Sequence, residues 1–107
     1  MVRRNIGHKA ELLLGKNIER LRLSKKISRM QIGKKINATE QQVAKYESGE
    51  FVPLTVLEAI AEILDMPIQK RVIRRISFLR KLEKETKIEQ EELLELYNAI
   101  FSDQDDE

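Results

Sequence analysis

The stretch SRMQIGKKINATEQQVAKYESGE, residues 28–50, holds two helix starts and two helix stops within 23 residues. Ser28 with Gln31 and Thr39 with Gln42 each have the spacing of a capping box, in which the first side chain and the third-on side chain satisfy two orphan backbone N–H groups reciprocally. A helix is therefore predicted over 29–36, with Ile32 and Ile36 on one side. Asn37 follows it, a residue that tolerates the left-handed backbone of a tight exit. A second helix is predicted over 40–47 and stops at Ser48-Gly49. Only three residues, Asn37 to Thr39, link the two. On the second helix Val43 and Tyr46 face inward, so Gln41, Gln42 and Lys45 share the outward face, with Glu40 beside them at the N-terminus.

The same punctuation continues outward. Leu14, Ile18 and Leu21 recur at helical spacing and predict a helix over 9–23, closed by a polar turn at Lys25 and Lys26. Thr55 with Glu58 suggests another capping box ahead of a helix over 56–64, whose Leu57, Ile60, Ala61 and Leu64 form a wide apolar stripe. Past Asp65-Met66-Pro67 comes a basic amphipathic helix over 68–84: Ile68, Val72, Ile76, Leu79 and Leu82 alternate with Lys70, Arg71, Arg74, Arg75, Arg80 and Lys81. A last helix, opened by Thr86 and Glu89, carries Leu93, Leu96, Tyr97, Ile100 and Phe101. The expected fold is thus all-α: an arm over 1–8, a helical bundle over 9–67, a helical hairpin over 68–101 and an acidic tail over 102–107.

Composition narrows the function. The 107 residues are 41% hydrophobic and 36% charged, without cysteine or tryptophan, which suits one compact helical domain and excludes disulfides and thiolate-bound metals. No run of about 18 apolar residues and no cleavable leader is present, so the expected location is cytoplasmic. The net charge of +2 hides a segregation: residues 1–84 carry 19 Lys and Arg against 9 acids, whereas 85–107 carry one lysine against nine acids. A basic body favours a polyanion, whose neutralised phosphates release counterions.

Two short helices joined by a three-residue turn inside a bundle have the geometry of a helix-turn-helix DNA binder. Its second helix enters the major groove N-terminus first. Glutamine there can pair with adenine N6 and N7, lysine can donate to guanine O6 and N7, and glutamate can accept from cytosine N4. Glu40, Gln41, Gln42 and Lys45 are therefore the candidate base readers. Gln42 also has a capping role open to it, and Glu40 a helix-dipole role. Gln41 and Lys45 have no comparable structural duty.

From about residue 14 to 68 the chain resembles the Cro and lambda-repressor-type helix-turn-helix family, also called the xenobiotic-response-element family. The matching residues are Gly15, Ile18, Arg22, Ile32, Val43, Tyr46, Glu47, Gly49, Pro53, Leu57, Ile60, Ala61 and Leu64. The resemblance implies a transcription regulator that binds a palindromic operator as a dimer. It places Arg29 where the family usually carries a glutamine that contacts DNA, and it implies that Glu47 pairs with Arg22 inside the bundle. Contacts to the DNA backbone are assigned to Arg29, Lys26, Lys34 and Ser28. The chain departs from the family at Gly33, where alanine is usual, and at Asn37, where glycine is usual.

The last two helices carry more aliphatic surface than a four-helix domain covers, so Val72, Ile76, Leu79, Leu93, Leu96, Tyr97 and Ile100 are expected at a homodimer interface. The competing arrangement folds this hairpin back onto its own domain. A second functional reading is a protein-interaction module, antitoxin-like or anti-activator, acting through the same helices. His8 stands alone, so no metal site is expected, and no cofactor motif or nucleophile–base pair suggests an enzyme.

Overall fold

The computed structural model describes residues 8–82 and 87–101, and within these the side chains of 9–82 and 91–100. The expected arm, the Thr86/Glu89 box and the acidic tail lie outside those residues. Six helices form the described chain, and it has no strand: α1 His8–Ser24, α2 Arg29–Ile36, α3 Glu40–Glu47, α4 Leu54–Ile63, α5 Lys70–Leu82 and α6 Lys87–Phe101.

Local chemistry sets the helix ends. Ser28 and Gln31 form the full capping box: the Ser28 Oγ accepts from the Gln31 backbone N–H, and the Gln31 Oε1 accepts from that of Ser28. Thr39 caps α3 by accepting from the Gln42 N–H. Three helices leave through left-handed residues that are not glycine, Lys26 (φ 59°), Asn37 (φ 61°) and Asp65 (φ 64°). After α1 and α4 the exit is closed by paired bonds, Ile27 N–H to Arg22 and Lys26 N–H to Leu23, then Met66 N–H to Ala61 and Asp65 N–H to Glu62. These satisfy the carbonyls that a helix end leaves orphaned.

Two expected boundaries move. α4 begins at Leu54 and is capped by Pro53 without a side-chain bond, so the Thr55/Glu58 box does not form. The fixed φ of Pro53 turns the chain into the helix early, and its carbonyl accepts the first bond, from Leu57, at 2.8 Å. α5 begins at Lys70 rather than 68, because the turn at Asp65 and the proline at 67 keep the chain out of helix until then.

One core joins all six helices: Leu14 and Ile18 of α1, Ile32 of α2, Val43 of α3, Leu57 and Ile60 of α4, Ile76 and Leu79 of α5, and Leu93 and Tyr97 of α6 are each at most 1% exposed. α6 packs on α1 and α5, so the hairpin closes over its own domain. This corrects the expected dimer interface. Ile76, Leu79, Leu93 and Tyr97 are filled into the chain's own core, leaving Val72, Leu96 and Ile100 half-buried. Arg80 is corrected likewise: it is buried, not part of the solvated basic face.

Close backbone approach explains two glycines. A Cβ on Gly15 would lie 2.5 Å from the Glu47 carbonyl oxygen and 2.6 Å from that of Tyr46, so Gly15 lets α1 pass directly over the end of α3. Gly15→Ala is expected to cost roughly 1–3 kcal/mol, the range for overpacking against unyielding atoms. A thermal midpoint unchanged from the parent would contradict that contact. At Gly33 the obstacle would be the Ala38 carbonyl oxygen, 2.5 Å away. Glycine there serves the tight exit through Asn37 rather than the approach of α3.

Candidate nucleic-acid interface

α2 and α3 are held at a fixed angle by an ion-pair cluster behind them. Glu47, at the end of α3, accepts from Arg22 Nε at 2.6 Å and Nη2 at 3.3 Å, and from Arg29 Nε at 2.9 Å. Arg22 also donates to the Ile27 carbonyl at 3.0 Å. One carboxylate thus ties α3 to both α1 and α2, as the resemblance implied for Arg22. The hydrogen bond and charge of Glu47 hold the Arg29 guanidinium above its ordinary pKa, against a smaller opposing effect of burial.

On the other side of α3, Glu40, Gln41 and Lys45 are exposed. Gln41 and Lys45 stand one turn apart on a single face. Among the described residues no group holds either side chain. Gln42 is half-buried beside Tyr46 and Val56 in a shallow groove, turned toward α4. Its backbone N–H carries the capping bond.

The expected backbone-binding residues divide. Lys26 and Lys34 are exposed, and Lys34 borders the α2–α3 turn. Ser28 is exposed and spends an acceptor lone pair on its cap, which leaves its O–H hydrogen available to donate. Arg29 is about a third exposed and engages Glu47, with Glu19 at 3.7 Å. It is a cation tethered to the bundle, with part of its side chain open to solvent.

A helix pair braced from behind, with unengaged amide and ammonium groups on its outer face, is built to present donors and acceptors to a grooved polyanion. The helix-turn-helix family model matches residues 18–70, which span α2 to α4 and the last part of α1. The chain belongs to the Cro and lambda-repressor-like helix-turn-helix family. It is a DNA-binding transcription regulator. No curated protein and no solved structure matches the chain. No described helix of this helix-turn-helix protein is long and apolar enough to cross a membrane.

Sequence reasoning missed a second polar cluster. Arg80 of α5 donates to the Val52 carbonyl at 2.7 Å and to Glu11 Oε1 at 3.0 Å, and the Tyr97 hydroxyl donates to Glu11 Oε2 at 3.4 Å. The guanidinium lies 4.1 Å from the Phe51 ring centroid and 5.7 Å from that of Tyr97. The cluster fastens the hairpin to α1 and to the loop that leaves the recognition helix.

Proposed function

We propose that this regulator binds a palindromic operator as a homodimer, with α3 in the major groove of each half-site. Gln41 and Lys45 read base edges, and Glu40 and Gln42 flank them. Lys26, Ser28, Lys34 and the tethered Arg29 grip phosphates. What carries the reading is the pair of exposed, unengaged side chains one turn apart on α3. In a two-fold dimer the two recognition helices stand about 34 Å apart, one turn of duplex.

Fluorescence anisotropy over a salt series tests this, with the duplex upstream of the chain's own gene and a random duplex as targets. Gln41→Ala and Lys45→Ala are each expected to lose about 1–3 kcal/mol on the specific duplex and little on the random one. Lys34→Ala weakens both alike and lowers the salt slope by about one. Equal, weak binding of the parent to the two duplexes would reject a promoter-proximal operator. Equal losses on both duplexes would move base reading away from α3.

A further inference from the structure

From Lys70 to Leu82 α5 has no acid. Its inner side, Ile76, Leu79 and Arg80, is buried; its outer side, Lys70, Arg71, Arg74, Arg75, Phe78 and Lys81, is exposed. The outer cations stand three and four residues apart and repel one another. Lys70 and Arg71 also occupy the first turn, where the positive end of the helix dipole disfavours them. Phe78, 58% exposed, sits among them with Arg74 and Arg75 one turn before it and Lys81 one turn after. Among the described residues this face has an exposed ion pair, Arg75 with Glu92 at 3.4 Å, and a hydrogen bond from Arg71 to the Gln69 side chain at 3.2 Å.

α6 has the opposite character. Its exposed residues include Glu91, Glu92 and Glu95, and from 91 to 101 it has no cation. It runs antiparallel to α5: Arg71 and Val72 share a groove with Ala99 and Ile100, while Arg75 reaches back to Glu92. The outside of the hairpin is therefore a cationic ridge, with an aromatic in it, beside an anionic ridge.

Two such ridges are self-complementary under one symmetry operation. A two-fold axis running along the groove between them lays the cationic ridge of each copy on the anionic ridge of the other, and an isologous interface needs this reciprocity. The alternative, α5 on α5, sets like charges together and is excluded by repulsion. We infer that two copies pair through the outer faces of α5 and α6, each α5 lying on the other copy's α6, with Phe78 as the apolar anchor of each half. This rests on the homodimer reading above. It moves the seam from the aliphatics expected in the sequence to the charged faces that the fold leaves outside.

Sedimentation velocity of the full chain at micromolar concentration and moderate salt is the test. Arg74→Glu/Arg75→Glu and Glu92→Lys/Glu95→Lys lie at exposed positions, and circular dichroism checks that both variants stay folded. Each alone is expected to weaken self-association about tenfold or more. An equimolar mixture is expected to recover dimer, because opposite signs face again on both ridge pairs, and Phe78→Ser weakens the parent dimer. A parent that is monomeric throughout would reject the homodimer reading and this inference together. A parent dimer indifferent to charge reversal, or variants that fail to recover on mixing, would leave the homodimer standing and reject this seam. Intact dimer with reduced affinity for random duplex would assign the α5 face to DNA instead, which also rejects the seam.

Discussion

Arg80→Ala is expected to lower the unfolding free energy by about 3–5 kcal/mol, read as a shift of the urea midpoint at constant slope. Arg80 is only 8% exposed, and its guanidinium bonds the Glu11 carboxylate and the Val52 carbonyl from one position. Truncation takes the positive charge away from a buried carboxylate and the donor away from a buried carbonyl, and each loss carries a desolvation cost. Phe51 and Tyr97 lose the cation between their rings. The cost belongs to breaking the pair, not to the pair's net worth. Glu11→Met/Arg80→Met, which removes both charges and keeps volume, is therefore expected to cost clearly less than the sum of its single substitutions. A loss below about 1 kcal/mol for Arg80→Ala would mean that water reaches the site and hydrates what remains. Since a domain of this kind has about 5–15 kcal/mol in total, the expected loss is a large share of its stability. It also frees the Phe51–Val52 loop directly behind the recognition helix.

That cluster also marks where sequence reasoning ran out. α2 and α3 were predicted to the residue because their caps are local: Ser28 with Gln31, Asn37, Thr39 and Gly49 act within four positions of the helix end that each sets. The exposure of Glu40, Gln41 and Lys45 on α3 followed from periodicity, whereas Gln42, expected on the same face, is half-buried beside Tyr46 and Val56. Arg80 was different. It stands four residues after Ile76, on the apolar side of α5, and Glu11 stands three before Leu14, on the apolar side of α1. Grouped by residue type, Arg80 reads as one of the outer cations of α5, and periodicity alone can at most give the side on which each charge lies. It cannot pair them, because 69 positions separate the two and 86 separate Glu11 from Tyr97. The aliphatics of α5 and α6 misled for the same reason. Their excess over a four-helix domain was legible, but whether another copy or the chain's own α1 covers it depends on long-range packing. Pro53 shows the converse, a local signal outranked by a stronger one: a fixed φ starts α4 before the Thr55 box can act.

Glu47→Ala is the second substitution expected to cost about 3–5 kcal/mol, and unlike Arg80→Ala it acts inside the recognition unit. It leaves Arg22, 7% exposed, with the Ile27 carbonyl as its remaining acceptor. It also releases Arg29, whose salt bridge is partly solvated and contributes less. Glu47→Gln keeps an acceptor of the same shape but loses the charge, so an intermediate loss of roughly 1.5–3 kcal/mol is expected, the range for a hydrogen bond to a charged group. The pH dependence follows from the direction of the Arg29 shift. A cation whose folded pKa is raised contributes its stability below its unfolded pKa and loses it only as pH climbs through the higher folded value. For a guanidinium that window lies in strong alkali, so the Arg29 contribution is constant across neutral pH. Stability and DNA affinity should then separate. Gln41→Ala is expected to weaken the specific complex at unchanged urea midpoint. Glu47→Ala is expected to lower the midpoint and, even at temperatures where the chain stays folded, to weaken the specific duplex more than the random one, because the carboxylate joining α3 to α1 and α2 is gone. A Glu47→Ala protein that keeps full affinity while folded would show that α3 is placed by its apolar contacts alone.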